Sequence, residues 1–177
     1  MAKQDVIPIY YWDSCVFLSA ITGEEERAPI VEAILEKCEN NHVIIYTSIL
    51  SVVEVSFSRK DEQHAQNLSH QVEDAINELW APNSKIRKVE FHDLIALRAK
   101  EIMRSAIEMG WSIKPADAIH LSTAKSIRAD EFHTYDIKLN KKHAAELKTL
   151  LGFTIKEPHK EPSLFDQLND TKNTQGI

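Results

Sequence analysis

Glycine is scarce in this chain, four among 177 residues, and none stands in a Gly-x-Gly-x-x-Gly or Gly-Lys-Ser/Thr setting. A dinucleotide site or a P-loop needs those glycines so that backbone can approach phosphate, which speaks against both. Cysteine is scarcer still. Cys15 and Cys38 have no metal-ligand spacing and make no disulfide framework, so a reducing, cytoplasmic compartment is expected. The eight histidines are scattered without His-x-His or His-x-x-x-His spacing, which argues against a zinc site. No apolar run approaches the length that spans a bilayer, and the first residues lack the apolar stretch of a signal peptide. No membrane role is expected. Internal repeats and Gly/Ser linkers are missing as well. Positive charge is also short: 21 Lys and Arg stand against 27 Asp and Glu, a net charge of −6. A protein that grips nucleic acid non-specifically usually carries a basic face, because phosphate contacts dominate affinity. The balance therefore argues mildly against a nucleic-acid role, unless bound metal ions neutralise an acidic site.

What is present describes one globular domain. The length suits a single core, and 43% apolar with 27% charged residues is ordinary for a folded protein. Short β-branched runs alternate with longer helical periods, the signature of an α/β protein with a parallel sheet. The expected strands are Ile9–Trp12, Val43–Tyr46, Ile86–Phe91, Glu131–Thr134 and Phe153–Lys156. Between them, Ile30, Ile34 and Cys38 mark one helix, stopped by Asn40 and Asn41. Leu50, Val53 and Phe57 line a second, and the run from Ala65 through Leu68, Val72 and Ile76 to Leu79 a third. A helix from Leu94 to Met109 ends at Gly110, Pro115 opens another, and His143 to Leu151 ends at Gly152. Residues 1–157 form the expected domain, and 158–177 a polar tail.

Four carboxylates occupy informative places. Asp13 directly follows the first strand, where an open α/β sheet binds ligands beyond the carboxyl ends of its strands; a turn former or helix N-cap is the plainer reading of one such residue. Glu54 falls within the apolar stripe of Leu50, Val53 and Phe57, where an unpaired carboxylate is costly unless protonated, paired or bound to a cation, or else it snorkels to water. Asp117 lies in the first turn of the Pro115 helix, where the helix dipole alone would favour it. That helix is apolar nearly all round, so it should pack inside and carry Asp117 at the rim. Asp136 follows the fourth strand as Asp13 follows the first. Together the four make an oxygen-rich shell of the kind Mg²⁺ or Mn²⁺ takes, and such ions activate water for in-line phosphoryl displacement. His120, one turn past Asp117, is placed where it could touch the cleft, though a core histidine is the plainer reading. Ser14, Ser48 and Thr134 are either caps or groups that orient the acids, and the basic stretch at Lys138, Lys141 and Lys142 is either a phosphate contact or a solvated helix start.

Four segments carry a resemblance. Tyr-Trp-Asp-Ser after the first strand, Thr-Ser-Ile-Leu-Ser-Val-Val-Glu, Lys-Pro-Ala-Asp-Ala-Ile-His-Leu-Ser-Thr-Ala and Phe-His-Thr-Tyr-Asp match, in order, the acidic motifs of the PIN-domain ribonucleases, and the chain resembles the VapC-like toxins of that family. The resemblance implies a three-layer α/β/α sandwich around a five-stranded parallel sheet in the order 3-2-1-4-5, with Asp13 and Asp136 side by side. It implies a Mg²⁺- or Mn²⁺-dependent endoribonuclease with Asp13, Glu54, Asp117 and Asp136 as catalytic metal ligands, an RNA substrate, a cognate antitoxin and a homodimer. Two features depart from the pattern. Cys15 stands where the family often has Asn, so a supporting hydrogen bond is expected to be lost, and the stretch from Arg59 to Lys88 is longer than in compact toxins. The rivals are an adaptor of the same fold that only binds RNA or protein, a receiver-like phospho-acceptor domain, and a DNA nuclease.

Overall fold

The computed structural model describes residues 6–57 and 69–160. Its centre is strand β1 (Ile9–Trp12), flanked by β2 (Ile44–Ser48) and β4 (Glu131–His133), with β3 (Arg87–Val89) and β5 (Thr154–Lys156) outside them. All pairings are parallel and the order is β3-β2-β1-β4-β5. The expected strands are thus all present, β1 with the expected bounds and the others shifted or shortened by one or two residues at their ends.

A central parallel strand is covered on both faces, and β1 shows why an uninterrupted run of large side chains suits that place. Tyr10 and Trp12 enter one core, with Val16, Phe17, Val31, Ile34 and Ile45, beneath α1 (Ser14–Ile21), α2 (Ala28–Glu39) and α4 (His70–Leu79). Tyr11 enters the other, with Leu121, Phe132, Leu147 and Ile155, beneath α5 (Asp93–Glu108), α6 (Pro115–Ser126) and α7 (Ala144–Leu151). The layers are therefore helix, sheet, helix. Left-handed backbone closes helices where the sequence placed their stops: Asn41 (φ 58°) follows α2, and Gly152 (φ 89°) caps α7.

Two local readings change, and a third is only partly tested. The residues after Asp13 form α1, a helix missing from the expected elements; Ser-Cys-Val-Phe-Leu-Ser-Ala-Ile is apolar nearly throughout, so it carries no polar face from which a helical period could be read. The stripe of Leu50, Val53 and Phe57 does not face inward. The helix there, α3, spans only Leu50–Glu54, and Val53 (70% exposed) and Phe57 (43%) point to solvent. Its inward face is Ser51 and Val55, both fully buried, because the Thr47 hydroxyl donates to the Trp12 carbonyl (2.8 Å) and pairs with the Ser51 hydroxyl (2.6 Å). Local hydroxyl bonding thus replaces apolar burial as the anchor of this turn. The third helix is described from His70; Ala65 and Leu68 of its expected stripe lie outside the described residues.

Candidate active site

Parallel pairing sets Trp12 beside His133, so the next residues, Asp13 and Thr134, emerge together at the carboxyl edge of the sheet. Asp13 is the N-cap of α1: its Oδ1 accepts from the Ser14 amide (2.8 Å). The plain reading of Asp13 as a cap is correct, and it coexists with a place in the cleft. Its Oδ2 accepts from the Thr134 hydroxyl (2.7 Å). Thr134 Oγ1 in turn accepts from the Asp136 amide (3.1 Å), so one hydroxyl ties both strand-end aspartates. Asp136 Oδ1 accepts from the Lys138 amide (2.7 Å) at the start of a short π-helix, Lys138–Lys142, a deviation that often marks functional sites.

Cys15 does not forfeit the bond that its departure from the family pattern led us to expect. Its Sγ lies 3.4 Å from Asp13 Oδ2 and 3.3 Å from Thr134 Oγ1, and it accepts from the Tyr135 amide (3.2 Å). Burial and the neighbouring Asp13 charge push its thiol pKa well up, so it stays protonated and acts as a donor, not a nucleophile.

Glu54 ends α3 and is paired rather than snorkelling free. Its Oε2 lies 2.6 Å from Nε2 of His120, which is 1% exposed and also 3.8 Å from Asp13 Oδ1. On the far side of the ring, Nδ1 meets the Tyr11 hydroxyl (2.7 Å), which accepts from the Ser48 amide (2.9 Å). His120 is therefore core and site at once, and both readings of it hold. Burial opposes a charge on the ring, but the Glu54 hydrogen bond and the charges of Asp13, Glu54 and Asp117 outweigh it and raise the His120 pKa. Glu54 moves the opposite way: burial raises its pKa, and the His120 bond and charge bring it below the ordinary value.

Asp117, in the first turn of α6, lines the same cleft of about 710 Å³ as Asp13, Glu54 and Asp136. Burial raises its pKa, and so do the charges of Asp13 and Asp136. All four predicted acids thus share one cleft. Arg27, Lys114 and Tyr135 also line it, and the sequence reading passed over all three.

Among the described residues two groups bring acid and histidine ligand atoms within 4.8 Å of one another: Asp13, Glu54 and His120, and Glu131, His133 and His159. The second has no lone pair to give through His133. Trp12 Nε1, a donor only, reaches His133 Nδ1 (3.1 Å), so the ring proton sits on Nε2 and is donated to Glu131 (2.8 Å). Lys156 Nζ, 2.6 Å from Glu131, already neutralises the acid. In the cleft, His120 Nε2 is likewise committed to Glu54. What remains for an ion is carboxylate oxygen from four acids, among which Asp13 and Asp136 repel Asp117, a donor set suited to a hard divalent cation.

Comparison with known proteins follows the same line. No curated protein matches the chain. Among solved structures, VapBC2 from Rickettsia felis, bound to a DNA fragment from its promoter, has 19% identity and a TM-score of 0.59, covering 84% of this chain and 98% of its own. A toxin–antitoxin complex from Klebsiella pneumoniae has 18% identity and a TM-score of 0.55, covering 86% of this chain and 99% of its own. VapC20 from Mycobacterium tuberculosis, a sarcin–ricin-loop-cleaving toxin, has 10% identity and a TM-score of 0.52, covering 72% and 89%. These likenesses concern the fold. The PIN domain family itself matches residues 10–144, from β1 through all four acids to the start of α7, and the chain belongs to that family.

Proposed function

We propose that this chain is a Mg²⁺- or Mn²⁺-dependent endoribonuclease and the toxin of a toxin–antitoxin pair. The observation that carries the reading is the convergence of Asp13, Glu54, Asp117 and Asp136 on one cleft of a PIN-domain chain, where burial and the charges of Asp13 and Asp136 raise the Asp117 pKa, a repulsion that a bound cation would relieve. A bound divalent ion there supplies a water activated at neutral pH and neutralises charge on the phosphate oxygens. The protein's part is positional. Thr134 and the Ser14 amide fix Asp13, His120 fixes Glu54, the π-helix amide of Lys138 fixes Asp136, and α6 delivers Asp117. Water attacks phosphorus as the phosphate–oxygen bond opposite it breaks; the water gives up a proton to solvent, and the leaving oxygen takes one from solvent. The Cys15 thiol, held protonated by burial and by the Asp13 charge, does not serve as a covalent nucleophile here.

Partners are proposed on the same footing. VapBC2 and the Klebsiella complex are assemblies of toxin with antitoxin. Here Val53 and Phe57 after β2, and Phe91, Leu94 and Leu97 after β3, leave exposed apolar side chains beyond neighbouring strand ends, as an interface would. We assign that surface to a homodimer, and the antitoxin to the cleft side. No helix among the described residues is long and apolar enough to cross a membrane; the cytoplasm is the proposed location. Incubating purified protein with total RNA in Mg²⁺ or Mn²⁺, and again after stripping with EDTA, tests the chemistry. Cleavage that persists in metal-free protein would reject it. Growth arrest on induction, relieved by the neighbouring reading frame, tests the toxin role.

A further inference from the structure

The protein carries an excess of negative charge, and its cleft concentrates four carboxylates, yet a nucleic-acid strand has to enter there. Attraction must then be local, and among the described cleft-lining residues Arg27 and Lys114 carry the positive charge. Lys114 is an exposed side chain whose charge acts on Asp117. Arg27 is built in. Its guanidinium lies 4.2 Å from the centroid of the Tyr135 ring, and its Nη1 is 2.7 Å from Glu24 Oε2. Tyr135 is itself pinned by its amide bond to Cys15 Sγ, between Thr134, which holds Asp13, and Asp136. The ring therefore holds the guanidinium over its face on the wall of the same cleft, and the Glu24 contact tethers one of its nitrogens. At 43% side-chain exposure, the group remains open to the cleft.

We propose that Arg27, held over the face of Tyr135, is a substrate-positioning residue: its guanidinium pairs with a phosphate of the RNA strand next to the one being cleaved. The planar fork matches phosphate oxygens two at a time, which a lysine ammonium cannot do, and stacking on the ring lowers the entropy lost on binding. This inference rests on the ribonuclease reading for its substrate, though not for the binding event itself.

The test compares wild type with Arg27→Lys, Arg27→Gln and a charge-matched control, Lys100→Ala on the exposed side of α5. Steady-state cleavage of a single-stranded RNA is measured in Mg²⁺ across a salt series. Binding of fluorescein-labelled RNA is measured in parallel by anisotropy, with each substitution also placed in an Asp117→Asn background. Arg27→Gln should raise KM and Kd about tenfold with kcat changed less than about threefold, and Arg27→Lys should recover little of the loss. The slope of log Kd against log salt should shrink by about 0.7 in Arg27→Gln, one phosphate contact on a single strand, and stay unchanged in Lys100→Ala. Equal effects of Arg27→Gln and Lys100→Ala, full recovery by lysine, or an unchanged salt slope would overturn the inference while leaving the nuclease reading intact. RNA binding that depends on Arg27 without any cleavage would support it and sink the nuclease reading instead. If wild type neither binds nor cleaves RNA, both fall together.

Discussion

Among the described residues two groups bring acid and histidine ligand atoms together, and they answer differently to the same composition. Around His133, every charge has a neighbour that cancels it: Lys156 pairs with Glu131, and Trp12 takes the last lone pair of the ring. Although burial raises the Glu131 pKa, hydrogen bonds from His133 and Lys156 hold it down to about 2. Around His120, a single ring faces Glu54 and Asp13 with Asp117 nearby, and negative charge is left over. The first group is closed and the second incomplete. Ligand-type residues in proximity do not make an ion site; unbalanced charge and free lone pairs do.

The sharpest way to break this comparison is to remove one acid from each group. Asp13→Asn or Asp117→Asn should reduce RNA cleavage by about a hundredfold or more, in keeping with loss of an electrostatic group acting on the transition state. Glu131→Gln should leave cleavage within about twofold, because its charge is spent on Lys156. Calorimetry with Mn²⁺ should show one class of binding that Glu131→Gln leaves alone. Metal binding lost in Glu131→Gln would mean that the wrong group has been read as closed.

The histidines should separate next. His120→Leu removes the partner of Glu54 and should weaken metal affinity or activity about tenfold to a hundredfold, the usual cost of losing a group that orients a ligand. His120→Gln, which can still donate near the Nε2 position, should recover part of that loss. Recovery separates positioning from mere packing. His133→Leu leaves Trp12 and Glu131 without their bonds, and it should cost about 1–3 kcal/mol of stability and little activity.

Acid titration of stability tests the closed group more gently. A carboxyl whose folded pKa is depressed stabilises the fold above its unfolded value and loses that contribution as pH falls toward the folded one. For Glu131 the window runs from the ordinary carboxylate range down to about pH 2. Burial lowers the His133 pKa, so charging that ring also disfavours the fold as pH falls. Wild type should lose stability on the order of 1 kcal/mol more than Glu131→Gln across this window, once solvent screening at the partly exposed carboxyl is allowed for. Parallel pH profiles of the two proteins in chemical denaturation would show the pair to be inert.

Most of this architecture is legible in the sequence, and the exceptions have causes. The five strands read clearly because a parallel sheet buried on both faces leaves uninterrupted apolar runs, as at Tyr10–Trp12. Strand-end aspartates read clearly because they follow those runs directly. Helix α1 was illegible since a helix packed against both sheet and helix needs no polar stripe. The α3 face was misread because hydroxyl bonds among Thr47, Ser51 and the Trp12 carbonyl, not apolar periodicity, decide which side turns inward. His120 offered a signal that the plainer reading outweighed: a histidine one turn beyond an acid on an apolar helix is buried, but burial next to acids is what gives it work. Arg27 lies far from the acids in sequence, and only the fold brings it to Tyr135.

The smallest expected effect is the most diagnostic, because its sign differs between readings. Burial and the charges of Asp13 and Asp136 raise the Asp117 pKa, so its ionised form is held against repulsion in the metal-free protein. A carboxyl raised in this way binds its proton more tightly when folded. Its contribution to stability is therefore fully present below the unfolded pKa and is lost as pH rises through the folded one. At neutral pH and without metal, Asp117→Asn should melt slightly higher than wild type, by about a degree or two, as the substitution keeps the shape and removes the repulsion. Added Mn²⁺ should reverse the order, raising the wild-type melting temperature more, since only wild type retains the full set of acids. If Asp117 served only the dipole of α6, the same change would cost about 0.3–1 kcal/mol and lower the melting temperature with or without metal. Melts of both proteins in EDTA and in Mn²⁺ decide between the two. A variant that melts lower in EDTA yet cleaves RNA at the wild-type rate would return Asp117 to an ordinary helix-start residue.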